Sequence, residues 1–489
     1  MNAPDHRDFP ATTLNAEQAR AQIDAQWDQD IVPELERYIA IPCKSPAFDP
    51  AWAEHGHIEA AVLQALSWVQ AQRIAGLRIE VIRLSGRTPV LWFELPASGT
   101  AVDGTMLIYG HLDKQPEFSG WRSGFGPWTP RYVDGKLYGR GGADDGYAIY
   151  AAVAAIKAIQ SQGSAHPRIV GLIETCEESG SYDLPAYIEA LKERMGEVAL
   201  VACLDSGCGN YDQLWITSSL RGMAAGVLKV EVLTEGVHSG DASGVVPSSF
   251  RILRTLLDRL EDSRTGRLLP ASFYCDMPPD RVAQTRQTAA ILGADAYRRF
   301  PWACADDGAF TLPMTDDPEQ ALINRTWRPT LSVTGAEGLP ELRNAGNVLR
   351  PFTAFKLSLR LPPLVDAAAA TAELKALLEA DAPYHARVTF HPEGNATGWN
   401  APVTAPWLER ALGEASQLHF GAPCAYIGQG GTIPLMNMLQ QGFPAAQMMV
   451  CGVLGPQSNA HGPNEFLHVP YAKRLTAALA HVLSAFAHG

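Results

Sequence analysis

Residues 106–113 read MLIYGHLD, an apolar run that passes directly into a histidine and an aspartate. Two further apolar runs, at 169–173 and 198–204, are also followed by acidic residues. The segment 147–160, between the first two runs, is rich in alanine and isoleucine and predicts a helix. Short apolar strands separated by helices are typical of βαβ units, so this stretch predicts a mostly parallel sheet.

The same patterns extend to both ends of the chain. Apolar residues at helical spacing predict helices at 15–39, 58–71, 184–192 and 471–486, and a late apolar run predicts a strand at 445–451. The middle differs, because alternating strands at 224–233 and 354–361 enclose a proline- and aspartate-rich stretch at 268–340. We therefore expect an α/β fold: a mixed, mostly parallel sheet with helices on both faces, interrupted by an inserted α+β domain. The expected boundaries are 1–221 and 398–489 for the main domain and 222–397 for the insertion.

Length and composition exclude several classes of protein. A chain of 489 residues is too long for one core, and 46% hydrophobic with 19% charged residues argues against a disordered or coiled-coil protein. A net charge of −13 disfavours a nucleic-acid partner. No apolar run is long enough to predict a membrane span.

The ends and the cysteines suggest a compartment. The N-terminal sequence lacks the basic start and apolar stretch of a secretory signal. Eight cysteines are scattered without a CxxC pair, which indicates reduced thiols and a cytoplasmic protein. A Cys203–Cys208 pair is the alternative for two of them. The histidines near the ends, including His481, are expected to be solvated.

Polar side chains cluster where the predicted strands end. His111 and Asp113 follow the first strand, Glu177-Glu178 the second, and Asp205 the third. In open α/β sheets such strand ends meet at one edge, where ligands collect. Each residue alone has an ordinary structural explanation, such as a solvated turn. Together, however, these acids would repel each other without a cation, and mixed histidine and carboxylate ligands suit Zn²⁺, Mn²⁺ or Co²⁺.

Two glycine-rich segments add candidates. Asp144-Asp145 follows Gly139-Arg140-Gly141-Gly142 and precedes the helix predicted at 147–160, so Asp144 either caps that helix or joins the acidic cluster. A phosphate-binding loop is disfavoured because the GK[ST] ending is missing. His461 lies in a loop of glycine, proline and asparagine, which is an unusual place for a packed core histidine.

Taken together, these segments resemble the M20 family of co-catalytic metallopeptidases, which includes carnosinase-like dipeptidases, carboxypeptidase G-like enzymes, aminoacylases and succinyl-diaminopimelate desuccinylases. Any one motif is weak, but all occur in family order over nearly the whole chain. The resembling segments are Gly110-His111-Leu112-Asp113, Tyr138-Gly139-Arg140-Gly141 through Asp144-Asp145, Glu177-Glu178-Ser179-Gly180-Ser181, Val237-His238-Ser239-Gly240 and Ala460-His461-Gly462-Pro463-Asn464-Glu465.

The resemblance implies a role for each residue of the cluster. Two divalent metal ions per chain are expected, Zn²⁺ first, with Mn²⁺ or Co²⁺ as alternatives. The implied ligands are His111 and Asp205 for one ion, Glu178 and His461 for the other, and Asp144, through a cis peptide to Asp145, for both. Asp113 would orient His111. Glu177 would be the general base that takes a proton from a metal-bridging water and passes it to the leaving nitrogen.

The resemblance also implies substrate contacts and a partner. His238 would stabilise the oxyanion, reaching the site of the other subunit in a homodimer that forms through the inserted lid domain. Arg360 would hold the substrate carboxylate. Gly431 and Thr432, in Gly430-Gly431-Thr432-Ile433-Pro434, would contact substrate from a loop that resembles the GGSIP loop of the family.

Two departures from the family pattern bear on the substrate. Gly146-Tyr147 follows the two aspartates where Lys-Gly is usual, and Gly428-Gln429 precedes the substrate loop where Arg-Glu is usual. Neither change removes a metal ligand or Glu177. The expected activity is hydrolysis of the amide bond of dipeptides or short peptides with a free carboxylate. The alternatives are an N-acyl amino acid amidohydrolase and a catalytically silent binding protein of the same fold.

Overall fold

The computed structural model describes residues 14–98, 104–306, 308–431 and 434–488. They form two compact units. The first takes the described residues of Met1–Thr217, Ala401–Ile427 and Met438–Gly489, and the second those of Ser218–Asn400 and Gly428–Asn437. The described residues of 428–437, which were expected in the main domain, thus belong to the second unit.

The first unit is built on a six-stranded mixed sheet. Its first two neighbouring pairs are antiparallel and the other three are parallel. In spatial order its strands are Arg78–Ile82, Val90–Leu95, Arg168–Glu174, Thr105–His111, Val198–Cys203 and Gln447–Val450.

The central strands are covered on both faces. Every residue of Thr105–His111 is buried, and Arg168–Glu174 is buried except at its first residue. Successive side chains of a strand point to opposite faces, so such burial requires packing on both sides. This confirms the expected α/β fold with a mostly parallel sheet.

Five helices of the first unit lie close to their predicted places, whereas Trp52–His55 and Pro406–Phe420 were not predicted. The helix expected at 15–39 is divided: Asn15 caps its first part by accepting a hydrogen bond from the amide of Gln18, and a π turn at Trp27–Ile31 separates the two parts. Most residues of Tyr147–Ser161 are buried, as expected for a helix in contact with the sheet. The helices are Ala16–Gln26, Val32–Ile39, Trp52–His55, His57–Ala71, Tyr147–Ser161, Leu184–Met195, Pro406–Phe420 and Val469–His488.

A small three-stranded sheet brings two loops together in the first unit. Lys136–Tyr138 is its central strand, between Phe466–His468 and Arg131–Val133. Phe466 pairs with Tyr138 in antiparallel register. Because Tyr138 precedes the turn that leads to Asp144, and Phe466 follows the His461 loop, this pairing sets the two loops side by side.

The second unit has a four-stranded antiparallel sheet in the order Thr330–Glu337, Phe352–Leu361, Gly222–Glu231 and Arg387–Ala396. Buried and half-buried residues alternate along Gly222–Glu231, the pattern of a sheet with one covered face. The core joins Leu228 and Leu357 of the sheet to Leu253 and Leu374, which lie on the helices Ser249–Leu257 and Ala367–Glu379. The inserted segment is therefore α+β, as expected.

Shorter elements complete the described chain. The second unit also has the ribbons Val237–His238 with Val348–Leu349 and Glu261–Asp262 with Arg267–Leu268, the strand Trp399–Asn400, and the helices Ser239–Ala242, Pro279–Leu292, Asp295–Arg298 and Pro318–Thr326. A boundary between the two units falls inside each of three further elements, Trp215–Leu220, Ala425–Gln429 and Pro434–Gly442.

Three sequence expectations meet the structure here. Among the described helices, none combines the length and apolar character that a membrane crossing needs. All eight cysteines carry free thiols, so the Cys203–Cys208 pair is absent. The expectation that His481 is solvated was wrong, because its helix, Val469–His488, is buried along most of its length and His481 is only 1% exposed.

Candidate metal centre

Three adjacent strands deliver polar side chains to one edge of the main sheet. His111 is the last residue of its strand, Glu177 and Glu178 lie in a short 3₁₀ turn just after Arg168–Glu174, and Asp205 follows Val198–Cys203. These strands are neighbours and parallel, so their carboxyl ends meet. His111 is fully buried and Asp205 is nearly so.

Asp144 reaches the same edge from the glycine-rich turn. The residue at the N-cap of Tyr147–Ser161 is Gly146, so Asp144 is not the cap of this helix. The peptide between Asp144 and Asp145 is cis, as the family resemblance implied. The two carboxylate oxygens of Asp144 face different histidines: Oδ1 lies 3.5 Å from Nε2 of His111, and Oδ2 lies 2.9 Å from Nε2 of His461.

Two groups of three side chains, both including Asp144, could each hold a metal ion. In the first group, Nε2 of His111 also lies 3.8 Å from Oδ2 of Asp205. In the second, Nε2 of His461 lies 3.3 Å from Oε2 of Glu178. Within each group the potential ligand atoms lie within 4.8 Å of one another. The five residues predicted as metal ligands are thus brought together.

The polar atoms of the site fit a cation. Nε2 of His111 is buried and has no hydrogen-bond partner among the described residues, although it faces two carboxylates. Burial, with the nearby charge of Asp144, raises the pKa of Glu178 well above its usual value. Burial likewise raises the pKa of Asp205 to about 6, with Asp144 contributing. A divalent cation would satisfy the free histidine nitrogen and relieve the repulsion between carboxylates.

Asp113 organises the ligands without belonging to either group. Its carboxylate accepts hydrogen bonds from the backbone amides of Glu177 and Glu178, at 3.1 and 3.0 Å. The same carboxylate lies 3.5 Å from Nδ1 of His111, which also lies 3.1 Å from the backbone carbonyl of Asp113. One buried acid therefore fixes both the histidine ring and the turn that carries the two glutamates.

A buried ion pair ties the His461 loop to the glycine-rich turn, and neither of its residues had a predicted role. Nη1 of Arg140 donates to Glu465 at 2.5 Å, and Nη2 donates to the carbonyl of Gly462 at 2.8 Å. The other carboxylate oxygen of Glu465 accepts from the amide of Gly141 at 2.9 Å. Arg140 and Glu465 both lie within segments that carry the family resemblance, and their opposite charges were the sequence signal for this pair.

Tyr38 explains why glycine follows the two aspartates. A Cβ atom at Gly146 would lie 2.1 Å from Cε1 of Tyr38, so no side chain fits there. The Tyr38 hydroxyl donates to the carbonyl of Leu112, and Nζ of Lys114 lies 3.9 Å from the centroid of the ring. Lys114 also donates to the carbonyls of Tyr38 and Ile41, both at 2.8 Å. The buried ring of Tyr38 and the adjacent Lys114 thus leave room only for glycine at position 146.

The predicted substrate residues lie on the second unit. His238 is exposed on a two-residue strand that pairs with Val348, and neither group of potential ligands includes it. Arg360 is half-buried near the end of Phe352–Leu361. Gly431 is exposed, and Thr432 lies outside the described residues.

An open α/β sheet with these carboxylate and histidine groups at its carboxyl edge is the arrangement of a candidate metal centre. Comparison with known sequences identifies the family: the sequence model of Peptidase family M20/M25/M40 matches residues 107–485, and the chain belongs to this family. The protein is therefore an enzyme, as expected, and the alternative of a catalytically silent binding protein is not supported.

Relatives of known activity cover most of the chain. It is 29% identical over 432 residues to a cysteinylglycine-S-conjugate dipeptidase of Corynebacterium striatum, a match that covers 84% of this chain and 88% of the relative. It is 27% identical over 369 residues to the human Beta-Ala-His dipeptidase, covering 72% and 69% of the two chains.

Solved structures share the fold. Human carnosine dipeptidase 1 superimposes with a TM-score of 0.76 at 23% identity, covering 98% of this chain and 99% of that one. The dipeptidase Dug1p of Saccharomyces cerevisiae gives 0.75 at 21% identity, covering 97% and 99%. At sequence identities of 21% and 23%, these superpositions show that the chain shares the fold of the two structures.

Proposed function

We propose that the protein is a dinuclear metal-dependent hydrolase that cleaves the amide bond of dipeptides or other short peptides with a free carboxylate. The observation that carries this proposal is the position of Asp144, whose two oxygens face the histidines of two adjacent ligand groups. The relatives named as dipeptidases support the substrate class.

The ligands divide between two ions. His111 and Asp205 would bind one, Glu178 and His461 the other, and Asp144 would bind both. Zn²⁺ is the first choice, because it accepts both imidazole and carboxylate ligands, and Mn²⁺ and Co²⁺ are the alternatives. Asp113 would keep the ring of His111 in its ligating orientation, because it contacts Nδ1 and leaves Nε2 directed at the acids.

Glu177 would be the general base. When bound, the metal ions polarise the scissile carbonyl and make a water easier to deprotonate. Glu177 would accept the proton of that water on its carboxylate and then donate it to the leaving nitrogen. Burial and the charge of Asp205 raise the pKa of Glu177, and a higher proton affinity suits a base. Its backbone amide is held by Asp113, which fixes the position of the side chain.

Residues of the second unit would supply the substrate contacts. Arg360 would bind the substrate carboxylate, and Gly431 and Thr432 would contact substrate from their loop. His238 would stabilise the oxyanion in the site of a partner subunit, in a homodimer that forms through the second unit, with that unit acting as a lid. The exposure of His238 on its short strand is compatible with such a contact.

We also propose a cytoplasmic location. The support is eight free thiols, five of them buried, in a chain where no described pair forms a disulfide. Such cysteines persist most readily in a reducing compartment.

Turnover of a substrate library tests the proposal. Chelated enzyme would be refilled with Zn²⁺, Mn²⁺ or Co²⁺ and given dipeptides together with N-acyl amino acids, with products identified by mass spectrometry. Metal-dependent release of free amino acids from dipeptides is expected. Cleavage of the N-acyl amino acids alone would replace the peptidase by a deacylase, and no cleavage of either set would contradict the proposed substrates.

A further inference from the structure

The second unit gathers guanidinium groups around one edge of its sheet. Arg360 pairs in register with Thr330 on one side and with Met223 on the other. The hydroxyl of Thr330 accepts a hydrogen bond from Nη1 of Arg221 at 3.2 Å. Thr330 therefore stands between Arg221 and Arg360, and both arginines lie at the same end of the sheet.

Arg325 adds an unusual group to this cluster. It lies in the last turn of Pro318–Thr326, and its Nε and Nη2 atoms are shut off from solvent without a hydrogen-bond partner among the described residues. An unpaired buried guanidinium is costly, because neither water nor protein replaces its lost hydration. Such a group is retained most readily where a ligand supplies the missing acceptor.

The arginine cluster contacts the loop that the proposed function assigns to substrate. Nε of Arg221 lies 3.4 Å from the carbonyl oxygen of Gly430 and donates to it. A Cβ at Gly430 would lie 3.3 Å from Nη2 of Arg221 and 3.7 Å from the carbonyl oxygen of Arg325. A Cβ at Gly428 would lie 2.9 Å from Cγ2 of Thr326, next to Arg325. The loop therefore packs closely on Arg221 and on the helix end that carries Arg325.

The positive charges of these arginines lie close enough to repel one another. Burial, with Arg299 and Arg221 nearby, lowers the pKa of Arg325 to about 9. Burial and Arg360 lower the pKa of Arg221 to about 10. Both groups stay protonated at neutral pH, so the cluster concentrates positive charge that an anion would offset.

Space for a small ligand lies beside the cluster. A cavity of about 780 Å³ is lined by residues that include Asn324, Arg328 and Thr330. Thr330 lines this cavity and also accepts the hydrogen bond from Arg221. The volume is within the range of small-molecule sites.

We propose that Arg325, together with Arg221, binds a second acidic group of the substrate, in addition to the carboxylate assigned to Arg360. The substrates of this enzyme would then be dipeptides that carry an acidic side chain. This inference rests on the proposed function, since it names the substrate class of the same site. Arg325 would determine specificity, because a site built for a carboxylate rejects the neutral analogue that leaves its donors unpaired.

Matched substrates test the inference directly. Zinc-loaded enzyme would be given Ala-Glu with Ala-Gln and Glu-Ala with Gln-Ala, pairs that differ in charge at nearly constant shape. For at least one pair, kcat/KM for the acidic member should exceed that of the amide by about ten- to a hundredfold. Equal turnover within both pairs would overturn the inference while leaving the hydrolase intact. If no dipeptide is cleaved, the proposed function fails, and thermal-shift measurements with Ala-Glu and Ala-Gln would test the anion site alone.

Variants of Arg325 test whether this residue causes the preference for acidic dipeptides. Arg325→Gln should remove the preference by lowering kcat/KM for the acidic peptide far more than for the amide peptide. It should not lower the melting temperature, because it removes an unpaired buried charge. Arg325→Lys should keep part of the preference. The control is Arg286→Gln, which removes an exposed arginine paired with Glu319 and should leave the preference intact. If Arg325→Gln lowers kcat/KM equally for both peptides, or lowers it for neither, the assignment to Arg325 is overturned. If Arg325→Gln does not fold, the same comparison is made with Arg325→Lys.

Discussion

At the scale of single residues, Asp144 has the central place. Its sequence context allowed two interpretations, a helix cap or a metal ligand, and the geometry separates them because Gly146 is the N-cap and both Asp144 oxygens face histidines. The potential ligands were predictable because each lies at a strand end or in a distinctive loop. The sequence predicted no role for four other residues, Arg140, Glu465, Lys114 and Arg325. Their roles depend on tertiary contacts, which leave no periodic pattern in the sequence.

Replacing the proposed base separates chemistry from metal binding. Glu177→Gln keeps the shape of the side chain but removes its ability to accept a proton. We expect kcat to fall by about 10²- to 10⁴-fold with fold and metal content unchanged. The measurements are steady-state kinetics, circular dichroism and metal analysis, with Glu189→Gln on an exposed helix position as the control. Turnover near that of the wild type would remove Glu177 from its proposed role.

Asp113 tests how far a residue outside the ligand groups controls them. Asp113→Ala removes the acceptor for the amides of Glu177 and Glu178 and the contact with His111. We expect the metal affinity to fall by about 10- to 100-fold, measured by competition with a chromogenic chelator. An unchanged affinity would mean that the turn holds its position without Asp113.

At the scale of elements, the buried central strands and five helices were predictable to within a few residues. The long helices Pro279–Leu292, Ala367–Glu379 and Pro406–Phe420 were not predicted. The strand Thr105–His111 reads as a continuous apolar run because both faces are covered. The edge strand Arg78–Ile82 and its neighbour Val90–Leu95 were not predicted. The first is half-exposed with charged residues, and its place is fixed by antiparallel pairing with the second rather than by a strong local pattern.

The contact between Tyr38 and Gly146 makes an element-scale prediction. Gly146→Ala places a methyl group against the buried ring, so we expect a loss of about 1–3 kcal/mol in the free energy of unfolding. In a Tyr38→Ala background the same change should cost clearly less, since the clash with the ring is gone and only the carbonyl oxygen of Gly141, 2.8 Å from the added Cβ, remains too close. Urea denaturation of the wild type, the two single variants and the double variant measures the coupling free energy between positions 38 and 146.

A glycine elsewhere provides the contrast. Gly413 lies inside the helix Pro406–Phe420, and nothing lies within 4 Å of a Cβ placed there. Gly413→Ala should therefore stabilise the protein by about 0.5–1 kcal/mol. For the first pair, an equal loss in the free energy of unfolding from Gly146→Ala with and without the Tyr38 ring would contradict the proposed contact between Tyr38 and Gly146.

At the scale of the whole molecule, the sequence predicted an insertion but not every segment of it. The second unit takes Gly428–Asn437 in addition to Ser218–Asn400. This assignment depends on where a short glycine-rich loop packs, and Gly428 and Gly430 both approach atoms of the second unit closely. Composition and periodicity carry no signal for such a choice.

The proposed homodimer makes a prediction about mixed subunits. Glu177→Gln and His238→Ala should each be nearly inactive alone, because each lacks one group of every site. If His238 serves the partner's site, a random mixture of the two variants should recover about a quarter of wild-type activity, since each heterodimer contains one complete site. The assay is turnover after co-refolding or subunit exchange, with dimer formation checked by light scattering. No recovery in mixtures that contain heterodimers would show that His238 does not act across subunits.

A titration of metal-free enzyme with Zn²⁺ tests the central claim most directly, with bound metal and dipeptide turnover measured at each step. The account predicts that turnover is absent without metal and reaches its maximum as two ions bind per chain. It also predicts that Asp144→Asn, which weakens a ligand common to both groups, loses high-affinity binding of both ions together with activity. Full turnover in the presence of chelator, or two tightly bound ions in Asp144→Asn, would contradict the shared-ligand site.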